Sequence, residues 1–164
     1  MTSLRINIPL TAILALFCAL LVAFPVRAER LEGVAIVIDG DTIELNGTRI
    51  RLHGIDAPEA RQECMISGAV WSCGADATRA LSNAMRDNQT ACEGVKRDRY
   101  RRLIAVCYVG KTDVNAEMVR NGWALAYRRY AMDYVADESA ARAAGRGIWR
   151  SRFVEPWEWR YARR

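Results

Sequence analysis

The fold of this chain is decided by the stretch Ile38-Asp39-Gly40-Asp41-Thr42-Ile43-Glu44-Leu45-Asn46-Gly47-Thr48-Arg49-Ile50-Arg51-Leu52-His53-Gly54-Ile55-Asp56-Ala57-Pro58-Glu59. Asp39-Gly40 is a turn signal, because glycine tolerates positive φ, and residues 42–45 then alternate polar and apolar as in a half-buried strand. Asn46-Gly47 is the strongest short hairpin signal, and residues 48–52 form the returning strand. The stretch therefore predicts a β-hairpin between two acidic segments.

The returning strand separates a basic face from an apolar one. Arg49, Arg51 and His53 fall on one face, because successive residues of a strand point to opposite sides. Ile50 and Leu52 fall on the other, and we expect them in the core. For His53 we expect packing beside the strand.

The acidic residues of the stretch suit a site for a hard metal ion. Asp41 and Asp56 lie at the ends of neighbouring strands, so both carboxylates can approach one point. Two carboxylates with a backbone carbonyl and water make an oxygen-only site for Ca²⁺ or Mg²⁺. Glu59 can lean over that ion without ligating it, and Arg51 supplies the planar fork that best matches phosphate oxygens. A cation, a carboxylate base and arginines are the smallest set of groups needed for displacement at phosphorus.

At this point the sequence resembles the staphylococcal nuclease (thermonuclease) family. The likeness runs from about residue 33 to residue 149 and depends on three motifs in the right order and spacing, Ile38–Thr42, Arg51–Glu59 and Asp98–Arg102. It also includes Asn121–Ala124. Residues 153–159, Phe-Val-Glu-Pro-Trp-Glu-Trp, are similar to tails of secreted bacterial members. The resemblance implies an α+β fold, a five-stranded OB-fold β-barrel with about three helices. It also implies Ca²⁺-dependent cleavage of DNA and RNA phosphodiesters that leaves 3′-phosphates.

The resemblance implies a role for each matching residue. It gives the metal to Asp41, Asp56 and the carbonyl of Ala57. It makes Glu59 the base, and Arg51 and Arg102 the two catalytic arginines. Ca²⁺ is the family's metal, and Mg²⁺ or Mn²⁺ stay open because oxygen ligands alone do not decide between them.

The Arg-rich turn departs from the family at one position. Asp98-Arg99-Tyr100-Arg101-Arg102 stands where the family has Asp-Lys-Tyr-Gly-Arg, which gives Arg99 a phosphate contact and places Tyr100 near the nucleotide. Arg101 replaces the glycine, and arginine adopts positive φ poorly. The turn is therefore expected either not to be left-handed there or to differ in shape, with the catalytic role on Arg102 rather than Arg101.

Residues 123–130 form an aromatic and basic connection expected to line a nucleotide cleft through Tyr127, Arg128 and Tyr130. Tyr130 matches a family tyrosine that contacts the nucleotide phosphate. Arg128 falls where the family has a second tyrosine, so that contact is changed or lost. For Tyr127 core packing is an equal alternative, and Trp71 either packs in its loop or stacks on a base.

Residues 1–28 are typical of a secretory signal. Arg5 gives a positive start, an apolar run extends over residues 8–24, and Val26-Arg27-Ala28 ends in a small residue. Cleavage near Ala28 predicts a periplasmic or secreted protein. An uncleaved membrane anchor is the alternative, because the run approaches membrane-spanning length.

Residues 29–164 have the length of a single domain with an aromatic C-terminal tail. The whole chain has 24 Lys and Arg against 19 Asp and Glu, and residues 1–28 hold two of the arginines and no acid. That leaves 22 against 19, net +3, which is too small a charge to prove a nucleic-acid partner. The expected partners are DNA and RNA substrates, with no obligate protein partner and a monomer as the default.

Four cysteines follow the signal, an even number that indicates disulfides in an exported protein. Of the three pairings we favour Cys64–Cys73, which staples a local loop, and Cys92–Cys107, which joins the strands flanking the Arg-rich turn. A zinc site is the alternative, but the chain has no CxxC spacing and a single His.

The remaining elements follow from periodicity. The prediction is a buried strand over 31–38, a loop over 60–74, a helix over 75–87, strands over 90–95 and 103–109, a helix capped by Asp113 through 121, a last helix over 133–145, and a tail from 151 that folds back. Met118 and Val119 are expected to face the core.

A non-catalytic OB-fold module that binds single-stranded nucleic acid is the main rival to an enzyme. A Ca²⁺-binding adhesion or envelope protein is a weaker one. A degenerate nuclease domain is expected to have lost a carboxylate or an arginine, and none of the set is missing here.

Overall fold

The computed structural model describes residues 28–86 and 88–163. The predicted signal peptide, apart from its last residue, lies outside the described residues. Of the helices that are described, none is both long and apolar enough to cross a membrane.

The described chain forms eleven strands, four α-helices and one 3-10 turn. In chain order these are β1 Glu29–Val34, β2 Ile36–Asp39, β3 Thr42–Leu45, β4 Thr48–Leu52, β5 Ile55–Asp56, β6 Cys64–Ile66, β7 Ala69–Trp71, α1 Cys73–Met85, β8 Gln89–Arg97, β9 Leu103–Val109, β10 Thr112–Asp113, α2 Val114–Arg120, β11 Leu125–Ala126, α3 Val135–Ala143, the 3-10 turn Gly147–Arg150, and α4 Pro156–Tyr161.

The main sheet is mixed and curled, which confirms the α+β OB-type fold. Its strand order is β1-β8-β9-β4-β3-β2, with β10 on β9, and β4 runs parallel to β9 while the other pairs are antiparallel. β1 and β2 are consecutive in the chain yet lie at opposite ends of this order, so the sheet bends round on itself. If β1 and β2 are counted as two halves of one bent strand and the two-residue β10 is left out, the main sheet has the five strands that were predicted. The fourth helix, α4, belongs to the tail.

The prediction that the first strand is buried is wrong. Residues 31–38 divide between β1 and β2, and Val34, Ile36 and Ile38 are 55%, 65% and 40% exposed. Alternation along the two strands turns these three side chains outward, while Leu31, Ala35 and Val37 pack on the core. An apolar run alone therefore overstated how much of this strand is covered.

The hairpin quoted above forms as predicted and supplies the core. Asn46 and Gly47 both have positive φ, 50° and 75°, as the two-residue hairpin turn requires. Ile43 pairs with Ile50 across β3 and β4, and both are fully buried. The core adds residues from α1, β9 and α2: Ala77, Leu81, Met85, Leu103, Ala105, Met118 and Val119.

Asp113 caps α2 as predicted. Its Oδ1 accepts a hydrogen bond from the Ala116 N–H at 3.0 Å, and the helix ends before Asn121. This helix packs on β9, the strand that follows the Arg-rich turn.

The segment after Glu59 is more regular than the predicted loop. It contains the β6–β7 hairpin, and the Cys64–Cys73 disulfide joins that hairpin to the start of α1. The tail folds back onto it, as expected, through a bridge between Met65 and Arg152. Trp71 packs there edge-on against Trp123, with ring centroids 6.3 Å apart, which favours the packing alternative.

The second disulfide joins Cys92 to Cys107, which face each other across β8 and β9. It straps the hairpin that carries the Arg-rich turn. We expect the Cys92→Ala/Cys107→Ala protein to lose about 3 kcal/mol of unfolding free energy, because a cross-link over 15 residues restricts the unfolded chain. Urea unfolding measures the loss, and an unchanged midpoint contradicts it.

Candidate active site

Two buried carboxylates form the floor of the site. Asp41 lies in the turn between β2 and β3 and Asp56 ends β5, and they are 5% and 0% exposed. Asp41 Oδ2 accepts the Ala57 N–H at 2.7 Å, and Thr42 donates its hydroxyl to Asp41 Oδ1 at 3.1 Å. The hydrogen bond from Ala57 to Asp41 ties the two acidic segments together, so both aspartates lie at one place, as the sequence predicted.

Arg51 lies between these two acids. It projects from β4, forms an ion pair with Asp41 through Nη1, and donates from Nη2 to Asp56 Oδ1 at 2.5 Å. Burial is the strongest influence on its guanidinium and lowers the pKa of Arg51, against the opposing pull of Asp56. One guanidinium therefore bridges the two predicted metal ligands.

Glu59 joins the same cluster through a residue that the sequence did not single out. Arg160, in α4, donates from Nη1 to Glu59 Oε1 at 2.7 Å and from Nη2 to Asp56 Oδ2 at 2.7 Å. Burial on its own lowers the pKa of Arg160, but Asp56 and Glu59 outweigh it and raise that pKa. The result is a continuous chain of ion pairs, Asp41–Arg51–Asp56–Arg160–Glu59.

Arg102 lies on the wall of the same cleft and is held by Asp98. Its Nε donates to Asp98 Oδ2 at 2.8 Å, and its backbone N–H donates to Asp98 Oδ1 at 3.0 Å. Burial of the Asp98 carboxyl works against ionisation, but these hydrogen bonds outweigh it and hold the pKa of Asp98 below its usual value. The Arg102 charge also lowers the pKa of Arg51. Both side chains line the same cleft.

The Arg-rich turn is left-handed at Arg101, so the first of the two expected alternatives, a turn that is not left-handed there, is wrong. Arg101 has φ of 66° and its N–H donates to the Asp98 carbonyl at 2.9 Å. Asp98 holds the turn closed from the other side by accepting the Tyr100 N–H at 2.9 Å. These hydrogen bonds hold the arginine in a conformation that glycine adopts more readily.

We expect Arg101→Gly to raise the free energy of unfolding. A non-glycine residue in the left-handed region destabilises the folded state by roughly 1–2 kcal/mol, and glycine removes that strain. Glycine also has more freedom in the unfolded chain, which cancels about half of the gain. The net gain is about 0.5–1 kcal/mol, measured by urea unfolding. Arg101→Ala is the matched control, since it removes the side chain but keeps the positive φ; equal midpoints for the two variants contradict the explanation.

A cleft of about 920 Å³ opens above the acidic floor. The predicted substrate residues Arg99, Tyr100 and Tyr130 all line it, and Tyr100 and Tyr130 are 63% and 60% exposed. Arg99 donates to the Tyr100 hydroxyl at 2.7 Å. Exposed tyrosines beside guanidinium groups are suited to nucleotide bases and phosphates.

Arg128 does not line the cleft, contrary to the sequence expectation. Its Nη2 pairs with Glu138 Oε2 at 2.5 Å, and Glu138 Oε1 accepts the Ala126 N–H at 2.9 Å. Arg129 lines the cleft instead. Tyr127 stacks on Trp157 of the tail, with ring centroids 5.5 Å apart and an angle of 1° between the planes.

Sequence reasoning missed Trp157 and Arg160. The aromatic tail signalled that the segment folds back, but it carried no signal of what it would contact. The nearest hint was the pairing of an arginine with two tryptophans directly after Pro156, which begins a helix.

The donor atoms on the floor fit a hard divalent cation. Asp41, Asp56 and Glu59 offer oxygen only, and the two aspartates lie shielded from water. Within residues 28–86 and 88–163, no three His, Cys, Asp or Glu side chains group as a metal site. A cation here therefore needs backbone or water oxygens as well, in keeping with the carbonyl predicted for Ala57.

Known proteins are similar to this chain over most of its length. Residues 49–151 match the family described as staphylococcal nuclease homologue. The chain is 38% identical to the succinoglycan biosynthesis protein ExoI of Rhizobium meliloti (strain 1021) over 128 residues, which cover 76% of this chain and 67% of that protein. It is 32% identical to an uncharacterized endonuclease of Haemophilus influenzae, covering 94% of this chain and 85% of the relative. It is also 32% identical to a micrococcal nuclease of Shigella flexneri, covering 87% of each.

Proposed function

The chain belongs to the staphylococcal nuclease family, and we propose that it is a Ca²⁺-dependent nuclease that hydrolyses phosphodiester bonds of DNA and RNA and leaves 3′-phosphates. One observation carries the proposal. Three carboxylates and two arginines form a single ion-pair chain at the base of a cleft lined by exposed tyrosines and further arginines.

Each residue has a defined part in the proposed reaction. Asp41, Asp56 and the Ala57 carbonyl would hold the cation, which would supply Lewis-acid polarisation of a phosphate oxygen. Glu59 orients and deprotonates the attacking water. Arg51 and Arg102 bind the charge that grows on the equatorial oxygens, and pre-positioned donors of this kind are each worth on the order of 10²–10³ in rate.

Substrate binding falls to the exposed rim of the cleft. Arg99 contacts phosphate, and Tyr100 and Tyr130 contact the nucleotide. The positive groups there attract the nucleic-acid backbone whatever its sequence, so binding is expected to weaken as salt rises.

We also propose that the enzyme acts outside the cytoplasm as one domain over residues 29–164, after removal of residues 1–28. Two disulfides support this, because disulfides persist in oxidising compartments.

A digestion assay tests the function. Plasmid DNA and a defined RNA are incubated with the protein in Ca²⁺, Mg²⁺ or Mn²⁺, and then with a chelator, and the product ends are analysed. The proposal expects cleavage with Ca²⁺, loss of cleavage with chelator, and 3′-phosphate ends. Binding without cleavage under every metal condition overturns it in favour of a non-catalytic binding module.

A further inference from the structure

The C-terminal helix α4 forms part of the candidate active site. Its Arg160 makes a two-pronged contact with Asp56, Nη1 to Oδ1 at 3.0 Å and Nη2 to Oδ2 at 2.7 Å. The same Nη1 reaches Glu59 Oε1 at 2.7 Å. Fork-shaped pairs of this type fix geometry as well as charge, because both N–H groups must align at once.

Glu59 depends on Arg160 for its orientation. It lies in the loop after β5 with its side chain 31% exposed, and among the described residues Arg160 is the only side chain that contacts its carboxylate. A glutamate in a loop has several rotamers to choose from, so a base at this position needs a partner that selects one of them.

The helix is itself held in place by three further contacts. Trp157 stacks on Tyr127, and Pro156 is buried at the start of the helix. Gln62, fully buried, donates to the Val154 carbonyl at 2.7 Å and accepts the Glu59 N–H at 3.2 Å. The base loop and the tail therefore share one anchor in addition to the ion pair.

We propose that Arg160 is a positioning residue of the nuclease reaction, which aims the Glu59 carboxylate by linking it to the buried Asp56. The inference rests on the proposed function, in which Glu59 is the base. Asp56 accepts two hydrogen bonds from Arg160 and one from Arg51. Because a carboxylate has about four lone-pair positions, one position on Oδ2 is left for a cation. Arg160 acts through Glu59 and does not touch the reacting atoms.

The opposite role makes a different prediction. If Arg160 competed with the cation for Asp56, the tail would inhibit the enzyme, and removing the arginine would raise activity and tighten cation binding. The contact to Glu59 favours positioning, since a residue that only neutralised Asp56 has no need to reach a second carboxylate.

A double-mutant cycle in the full chain separates these roles. The variants are Arg160→Gln, Glu59→Gln and the double substitution, assayed with Ca²⁺ on a defined oligonucleotide. We expect Arg160→Gln to lower kcat about 10- to 100-fold, because misplacing a reacting group by about an ångström costs that much. KM is expected to stay within about threefold, and the double variant is expected to match Glu59→Gln within about twofold.

Two controls accompany the cycle. Arg163→Gln removes the same charge three residues further on, from a guanidinium that lies over the Trp159 ring, and is expected to keep the wild-type kcat. Arg160→Lys keeps the charge without the fork and is expected to retain more activity than Arg160→Gln but less than wild type.

Urea unfolding of the same variants tests the contact between Arg160 and Glu59 independently of catalytic activity. The midpoints of Arg160→Gln, Glu59→Gln and the double variant should be non-additive if the two side chains touch. Additive midpoints, a wild-type or higher kcat for Arg160→Gln, or a further loss in the double variant each overturn the positioning role. A wild-type protein that cleaves nothing overturns the proposed function itself, and this inference falls with it.

Discussion

The Arg51→Ala protein is expected to lose both cleavage activity and stability. The rate should fall on the order of 10²–10³, because Arg51 is one of the two donors that we propose for the charge that grows on the phosphate. The fold should lose about 3 kcal/mol, since Asp41 keeps no guanidinium and Asp56 keeps only Arg160. Both aspartates are buried, so the loss of Arg51 is expected to affect the fold as well as the rate.

Initial rates and urea unfolding measure the two losses separately. Arg51→Lys is the matched variant, which keeps a charge near the acids but cannot bridge both, and should recover stability more than rate. Arg49→Ala, two residues along the same strand face and exposed, should change the unfolding free energy by less than about 0.5 kcal/mol. Adding Ca²⁺ should restore part of the stability lost in Arg51→Ala, because a cation neutralises the same two carboxylates. An Arg51→Ala protein with wild-type stability would mean that these carboxylates are not paired as described.

Glu59→Gln is expected to cost about 10²–10⁴ in kcat, the usual contribution of a positioned general base. The change keeps the shape of the side chain and removes only its charge and basicity. Because Glu59 is about one-third exposed, its pair with Arg160 is expected to contribute about 0.2–1 kcal/mol, so the unfolding free energy should change by no more than that.

Steady-state kinetics and urea unfolding on one preparation test this separation. Glu63→Gln is the matched control, since it removes an exposed carboxylate from the same loop and leaves the ion-pair chain untouched. Full activity in Glu59→Gln would show that the base lies elsewhere. His53, which lines the same cleft, would then be the next residue to replace.

Local signals in the sequence were enough to predict the hairpin and the acids at its ends. Asn46-Gly47 leaves few backbone choices, and alternation then determines that Ile50 faces the core and Arg51 the opposite side. Asp41 and Asp56 follow from the same register, since each stands at a strand end. The pairing of Cys92 with Cys107 could be predicted for a similar reason, because the two residues lie on the two strands of one hairpin.

The contacts that sequence reasoning missed are the ones that join distant segments. Arg160 meets Asp56 across 104 residues, and nothing in the tail's composition encodes that contact. At Arg101 the hydrogen bonds with Asp98 override a local backbone preference, so propensity alone could not decide between the two expected conformations of the turn. Arg128 was misassigned because Glu138, ten residues later on another element, draws it away from the cleft.

The long separation between Asp56 and Arg160 also bears on when the protein becomes competent during synthesis. A chain emerges from the ribosome from its first residue onward, so both aspartates and the barrel strands are available well before α4 exists. Closing a contact between segments this far apart is slow and late compared with hairpin formation. A nascent chain therefore carries an acidic cluster that lacks its second counter-charge until the last helix docks.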